Sequence, residues 1–138
     1  MAVNDLVTAV ERHGNGSDVA FVFHSWLKGS RTAWPEMRTD DYNALQHQRI
    51  ERLLASEARL VVLHPEGAPA VIAAWALLDA GPDIAHYVHV KGEYRGKGFA
   101  SRLLAGRTIA THMTEAGERL KRKLGLRYMP HLLDGLGA

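Results

Sequence analysis

Residues Arg95-Gly96-Lys97-Gly98-Phe99-Ala100 combine what anion binding needs: glycines that let a ligand approach the backbone, and neighbouring cations. They follow an apolar run, His86–Val90 (HYVHV), and lead into a helical pattern opened by Ser101-Arg102-Leu103-Leu104. A glycine-punctuated loop between strand and helix aims backbone N–H groups at one place, where the helix dipole also favours negative charge. The spacing predicts a pyrophosphate cradle. A G-x-x-x-x-G-K-[ST] nucleotide loop is absent. The plainer reading of the same residues is a solvated basic turn.

Eight histidines and no cysteine bound the remaining chemistry. Histidine is the side chain suited to moving a proton near neutral pH. His86 lies four residues before Val90, so strand alternation puts it on the face of Val88 and Val90, with His89 opposite. His112 falls in a β-branched stretch, Thr108–Thr114, from which it can face the first strand across a cleft. No His-x3-His pair or carboxylate cluster is present, so no metal is expected. The lack of cysteine excludes disulfides, thiolate ligands and an acyl-cysteine step.

The elements that must position these groups can be read along the chain. Residues 1–12 carry a weak helical periodicity (Val3, Leu6, Val7, Val10), closed by Gly14 and Gly16. Asp18–His24 (DVAFVFH), rich in Val and Phe, reads as a strand, followed by a short helical turn over Ser25–Gly29 and a loop to Arg38. Thr39 or Asp40 can cap a helix to about Glu57, with Leu45, Ile50, Leu53 and Leu54 as its apolar stripe. Strands are expected over Arg59–His64, Ala70–Leu78 and Ile84–Val90, joined by turns at Pro65–Pro69 and Gly81–Asp83. A helix over Gly98–Ala105, a strand in Thr108–Thr114, a helix over Thr114–Leu124 and a last strand within Leu126–Leu133 complete the order. At 138 residues this is one domain, residues 1–138, with 1–17 as an N-terminal extension and 134–138 as a loose tail. The fold class is α/β, of α+β type, with an antiparallel meander in a mixed sheet.

This order, with the 95–100 loop, resembles the GNAT superfamily of N-acetyltransferases. Their acetyl-CoA motif is Q/R-x-x-G-x-G/A, and Arg95, Gly98 and Ala100 meet its specified positions. Lys123-Leu124-Gly125-Leu126 is similar to the family's helix-to-strand passage. The resemblance implies that amides at Gly96, Gly98, Phe99 and Ala100 bind the pyrophosphate of acetyl-CoA, with Arg95 and Lys97 lending charge. Ser101 opens the helix there, and Arg102 is a candidate for the adenosine 3′-phosphate. Val88 and Val90 would face the pantetheine arm, and an N–H near Val90 would meet the oxyanion. A member of the family carries a histidine at the place of His86, where many others have a glutamate nearby. The early Ser25-Trp26-Leu27 segment and the short third helix also resemble small GNAT-like proteins of tailed phages.

The implied activity is acetyl transfer to a primary amine, on a protein or small molecule, directly within a ternary complex. His86 is the expected base, with His112 as an alternative from across the cleft. Many members place an acidic tyrosine in the last helix, but here Lys121 occupies that position. Tyr128 and His131 lie just downstream; otherwise solvent protonates the thiolate, or the domain binds an acyl-CoA or a macromolecule without turnover. The acceptor pocket is expected from Ser25, Trp26 and Trp34, whose tryptophans read equally as core anchors. A net charge of +2 and the absence of a recognition motif argue against nucleic acid. No run is long enough to span a membrane, and the N-terminus has no signal pattern. A cytoplasmic monomer or homodimer is the resulting expectation.

Overall fold

The computed structural model describes residues 9–31, 34–112 and 121–129. Six strands lie in sequential order in one sheet: β1 (Ala9–His13), β2 (Arg59–Pro65), β3 (Ala74–Leu78), β4 (Ile84–Val90), β5 (Ile109–Ala110) and β6 (Arg127–Tyr128). β1 to β4 pair antiparallel, whereas β4–β5 and β5–β6 pair parallel. A parallel pair needs a crossover. The first uses α3 (Phe99–Leu103), and the second includes the helical residues 121–124. Between β1 and β2 run α1 (Val19–Ser30) and α2 (Thr39–Ala55). The architecture is the expected mixed, mostly antiparallel sheet flanked by helices.

The N-terminal third departs from the expected elements. Ala9–His13 is a strand, not part of a helix, because its backbone pairs with β2 from Ala9↔Pro65 to His13↔Val61. The stretch expected as a strand, Asp18–His24, is helical and continuous with the turn at Ser25–Gly29. Its buried positions, Val22, Ser25, Trp26 and Ser30, are spaced for one helix face. Local chemistry starts this helix. Asn15 and Asp18 form a capping box over a 3₁₀ turn, with Ser17 N donating to Asn15 and Asn15 N to Asp18. Arg12 holds Asp18 in a bidentate pair at 2.8 and 2.9 Å. These bonds outweigh the β-propensity of Val and Phe.

Between residues 39 and 103 the elements come in the expected order. α2 spans Thr39–Ala55, but its N-cap position is Arg38, with no side-chain cap, so Asp40 and Asp41 act through the first-turn dipole. Its inward face is Tyr42, Gln46, Ile50 and Leu53; Leu45 and Leu54 are half-buried. β3 begins at Ala74, later than expected, because residues 66–73 turn irregularly. Among the described residues β5 and β6 cover two residues each of the strands expected in Thr108–Thr114 and within Leu126–Leu133, and residues 113–120 and 130–138 lie outside the description. Val3, Leu6, Val7, Arg119, Leu120, Pro130, His131 and Leu133 lie outside the described residues.

The sheet separates two cores. On one face α1 and α2 bury Val22, Trp26, Ile50 and Leu53 against Val62, Trp75, Leu77 and Tyr87. Trp26 and Trp75 are fully buried; at about 25 cal/mol per Å² each indole contributes roughly 5 kcal/mol of transfer free energy. On the other face Phe99, Leu103 and Leu104 cover small and branched residues, Ala74, Ala76, Leu63, Val88 and Val90. Alanines beneath α3 let that short helix sit close to the sheet.

Candidate functional site

The sheet opens into a fork between β4 and β5. Among the described residues these strands pair only at Ile84↔Ile109 and Ala85↔Ala110, followed by a 3.1 Å bond from Thr111 N to Ala85 O. On the other side of β4, Lys91 N donates to Ala73 O, continuing the Ala74↔Val90 register. Antiparallel alternation therefore turns the backbone groups of Tyr87, His89 and Lys91 towards β3 and those of Val88 and Val90 into the fork. By this alternation Val88 N–H, Val88 C=O and Val90 N–H face no paired strand among the described residues. Val90 O accepts from Arg95 Nε at 3.2 Å. The valine side chains lie on the α3 face.

The fork runs into the glycine loop. After a 3₁₀ turn at Gly92–Tyr94, Gly96 and Gly98 take φ values of 77° and 78°. Such left-handed geometry costs an L-residue with a side chain about 1–2 kcal/mol. The consecutive N–H groups from Gly96 to Ser101 reach no acceptor among the described residues. An added Cβ at either glycine would meet no atom within 4 Å, so the loop faces open space. α3 has five residues, so the row of loop amides, more than a helix dipole, makes this site attractive to anions. Lys97 Nζ sits 5.7 Å from the Tyr94 ring centre, at the loop's rim. Arg102 is spent elsewhere: its Nη1 donates to Ala9 O at 2.8 Å and ties α3 to β1.

A possible acetyltransferase from Clostridium difficile 630 superposes on 88% of this chain and 91% of its own, with a TM-score of 0.56 at 15% identity. The chain has the GNAT fold. A GCN5-related N-acetyltransferase from Rhodopseudomonas palustris aligns over 86% of this chain and 68% of its own, with a TM-score of 0.49 and 18% identity. An acetyltransferase solved with a CoA-containing bisubstrate analogue, AAC(6')-Iy, aligns over 86% and 90%, with a TM-score of 0.47 and 15% identity. No protein-family profile and no curated protein sequence matches the chain.

Within this GNAT fold, of the histidines expected to do chemistry His86 is buried, while His89 and His112 are half-buried. His86 is 1% exposed, and both ring nitrogens are engaged. Nε2 lies 3.2 Å from Asp79 Oδ1 and Nδ1 lies 3.0 Å from Thr111 Oγ1. Burial lowers its pKa against the opposing pull of Asp79. His89, on the opposite face, is pushed down to about 4 by burial and then by Arg95, His24 and Lys28. His112 is pushed down to about 3 by burial, with Arg49 and His86 adding to the effect. His112 sits edge-on to Trp26 and tilted against Tyr87, on the face opposite the glycine loop. Its buried Nδ1 has no hydrogen-bond partner among the described residues.

The expected acceptor residues divide by helix geometry. Ser25 and Trp26 point inward: Ser25 Oγ donates to Phe21 O and accepts from Trp75 Nε1, and Trp26 Nε1 donates to Gln46. Trp34 is half-buried at the helix junction, with Arg49 over its ring at 5.4 Å. The outward residues of the same turn, His24, Leu27 and Lys28, instead line an open hollow of about 480 Å³ with Thr39, Tyr42 and Asn43 of α2. Tyr128 is 44% exposed on β6. Asp79 and Thr111 went unread in the sequence, since they reach His86 from 7 and 25 positions away with no local signature. Burial pushes the Tyr87 phenol up to about 12. The buried Ser30 hydroxyl beside it influences Tyr87 and Tyr42 without standing at hydrogen-bond geometry to either.

Proposed function

We propose that the protein is an acetyl-CoA-dependent N-acetyltransferase acting on a primary amine, protein-borne or small, by direct transfer. One observation carries this reading: the backbone edge of Val88 and Val90, with no strand paired to it among the described residues, runs into amides of Gly96–Ser101 that reach no acceptor among the described residues. An extended chain carrying amides can add to that edge like a strand. A pyrophosphate at its end would meet the amides of Gly96, Gly98, Phe99 and Ala100, with Arg95 and Lys97 at the rim. Acetyl-CoA supplies both, together with a thioester. Val90 N–H, aimed into the fork, is placed to stabilise negative charge developing on the thioester oxygen.

The nucleophile must be a neutral amine, because an ammonium has no lone pair. His86 has both nitrogens bonded, and His89 and His112 are neutral far below pH 7. His112, whose buried Nδ1 has no partner among the described residues, is the group we assign to hydrogen-bonding in the acceptor cleft, as a neutral imidazole. The amine's proton passes to solvent. With Tyr128 exposed on β6, the leaving thiolate takes its proton from Tyr128 or from water.

Titration calorimetry with acetyl-CoA tests the donor step, and no heat at millimolar ligand in folded protein would sink it. Gly98→Glu should stay folded, with about 1 kcal/mol lost to left-handed strain, and bind no acetyl-CoA. Binding at wild-type affinity would remove the cradle from the reading. A second reading, a domain that holds acyl-CoA without turnover, is favoured by the engagement of His86 on both nitrogens. Thiol release with a broad amine panel separates the two.

A further inference from the structure

His86 occupies an unusual place in the backbone. Leu77 pairs with Tyr87 and Leu78 with Ala85, so His86 is the extra residue of a β-bulge in β4. Its imidazole meets Asp79, just past the end of β3, and Thr111, just past the end of β5. Thr111 N also makes the bond to Ala85 O at which, among the described residues, β4–β5 pairing stops. One side chain thus joins three strand ends at the vertex of the fork. The carboxylate of Asp79 only accepts, so Nε2–H donates to it, and neutral Nδ1 is left to accept from the Thr111 hydroxyl at 3.0 Å, in preference to that hydroxyl's longer 3.5 Å contact with His86 O. Arg107 braces the outside of the vertex by donating to the carbonyls of Asp79, Gly81 and Ile84.

We propose that Asp79, His86 and Thr111 form a clasp that sets the opening of the β4–β5 fork, which makes His86 a positioning residue for the acyl donor. This rests on the acetyl-CoA reading of the fork. The lever is long. Five residues at about 3.3 Å each put Val90 roughly 16 Å from Ala85, so a hinge change of about 5° moves it by about 1.4 Å. That shift is large against the narrow distance range of a hydrogen bond. Pairing between β4 and β5 cannot resist it, because among the described residues Ala85 is the last residue of β4 paired with β5 and a bulge lies directly beyond. The clasp supplies the missing restraint.

The test is the dissociation constant for acetyl-CoA, measured well below the unfolding midpoint, in wild type, Thr111→Val, Asp79→Ala and Asp79→Asn. Thr111→Val and Asp79→Ala should weaken binding roughly tenfold to a hundredfold. Asp79→Asn should restore most of it, because the amide oxygen still accepts from Nε2–H. Lower unfolding midpoints with unchanged affinity would show a merely structural role and overturn the clasp. If wild type itself fails to bind, the acetyl-CoA reading falls first, and the clasp as a donor-positioning device with it. Should the variants not fold, the ¹⁵N shifts of the His86 ring in wild type decide: an Nε2-protonated tautomer at pH 7 is expected, and an Nδ1-protonated one overturns the proposal.

Discussion

Acidification from pH 7.5 to 5.5 is expected to remove about 3 kcal/mol of folding stability, before most carboxylates titrate. The source is two half-buried histidines. Burial holds His89 at about 4 and His112 at about 3, against an ordinary value of 6.5. Both folded-state values are depressed, so the stabilisation is complete above the unfolded pKa and is lost as pH falls towards the folded ones. At pH 5.5 the unfolded chain has bound most of both protons while the folded chain has bound almost none. Each site then contributes RT ln(1 + 10) or about 1.4 kcal/mol of loss. His86, also lowered, adds in the same direction. Urea unfolding at pH 7.5, 6.5 and 5.5 measures the slope. In His112→Phe, where an aromatic ring still meets Trp26 and Tyr87, about 1.4 kcal/mol of the pH dependence should disappear. Stability that stays flat over this range, or a His112→Phe variant that titrates like wild type, would refute the argument that these rings are held neutral by burial.

Two further outcomes follow from the same geometry. Asp18→Ala should cost about 2 kcal/mol in urea unfolding, because Asp18 receives bonds from both Arg12 nitrogens and from Asn15 N while nearly fully buried; a loss under about 0.5 kcal/mol would mean that α1 starts without this cap. The rate of acetyl transfer at saturating acetyl-CoA should rise with pH up to the pKa of the amine itself, with no inflection between about pH 6 and 7.5, since His89 and His112 are already neutral there and both ring nitrogens of His86 are engaged; an inflection abolished by His86→Ala would restore His86 as the base.

The legible parts of this chain are those whose signals are local. Ile84–Val90 is a short apolar run between turns, and its bounds are those of β4. The glycines at 96 and 98 announce left-handed backbone, and both have it. α2 carries its acids in the first turn and its apolar residues at helical spacing, and it forms within two residues of expectation. The failures come where context decides. DVAFVFH has strong strand composition but lies after an Asn15–Asp18 capping box and presents Val22, Trp26 and Ser30 to the sheet at helical spacing. Ala9–His13 has only one buried residue, and its strand exists because β2 offers an edge. Face alternation placed His86 with Val88 and Val90, but a bulge at His86 itself breaks that alternation, and no residue type signals a bulge in advance.

The same contrast explains why donor and acceptor differ so much in legibility. The proposed donor side is built from backbone: an open strand edge and a row of amides, fixed by glycines in one contiguous segment of the chain. The facing side is built from side chains on α1, α2, β4 and the end of β5, brought together only by the sheet. Trp26, Gln46, Tyr87 and His112 touch one another across 86 residues of chain, and their contacts consist of ring edges and buried polar atoms rather than a motif. Substitutions there can change what is recognised while the glycine loop stays unaltered. The fork is where the two meet, since Val88 and Val90 face α3 while Tyr87 faces Trp26. A restraint at its vertex therefore governs both sides at once, which is why the Asp79–His86–Thr111 link, made of side chains yet acting on backbone, is the place to perturb first.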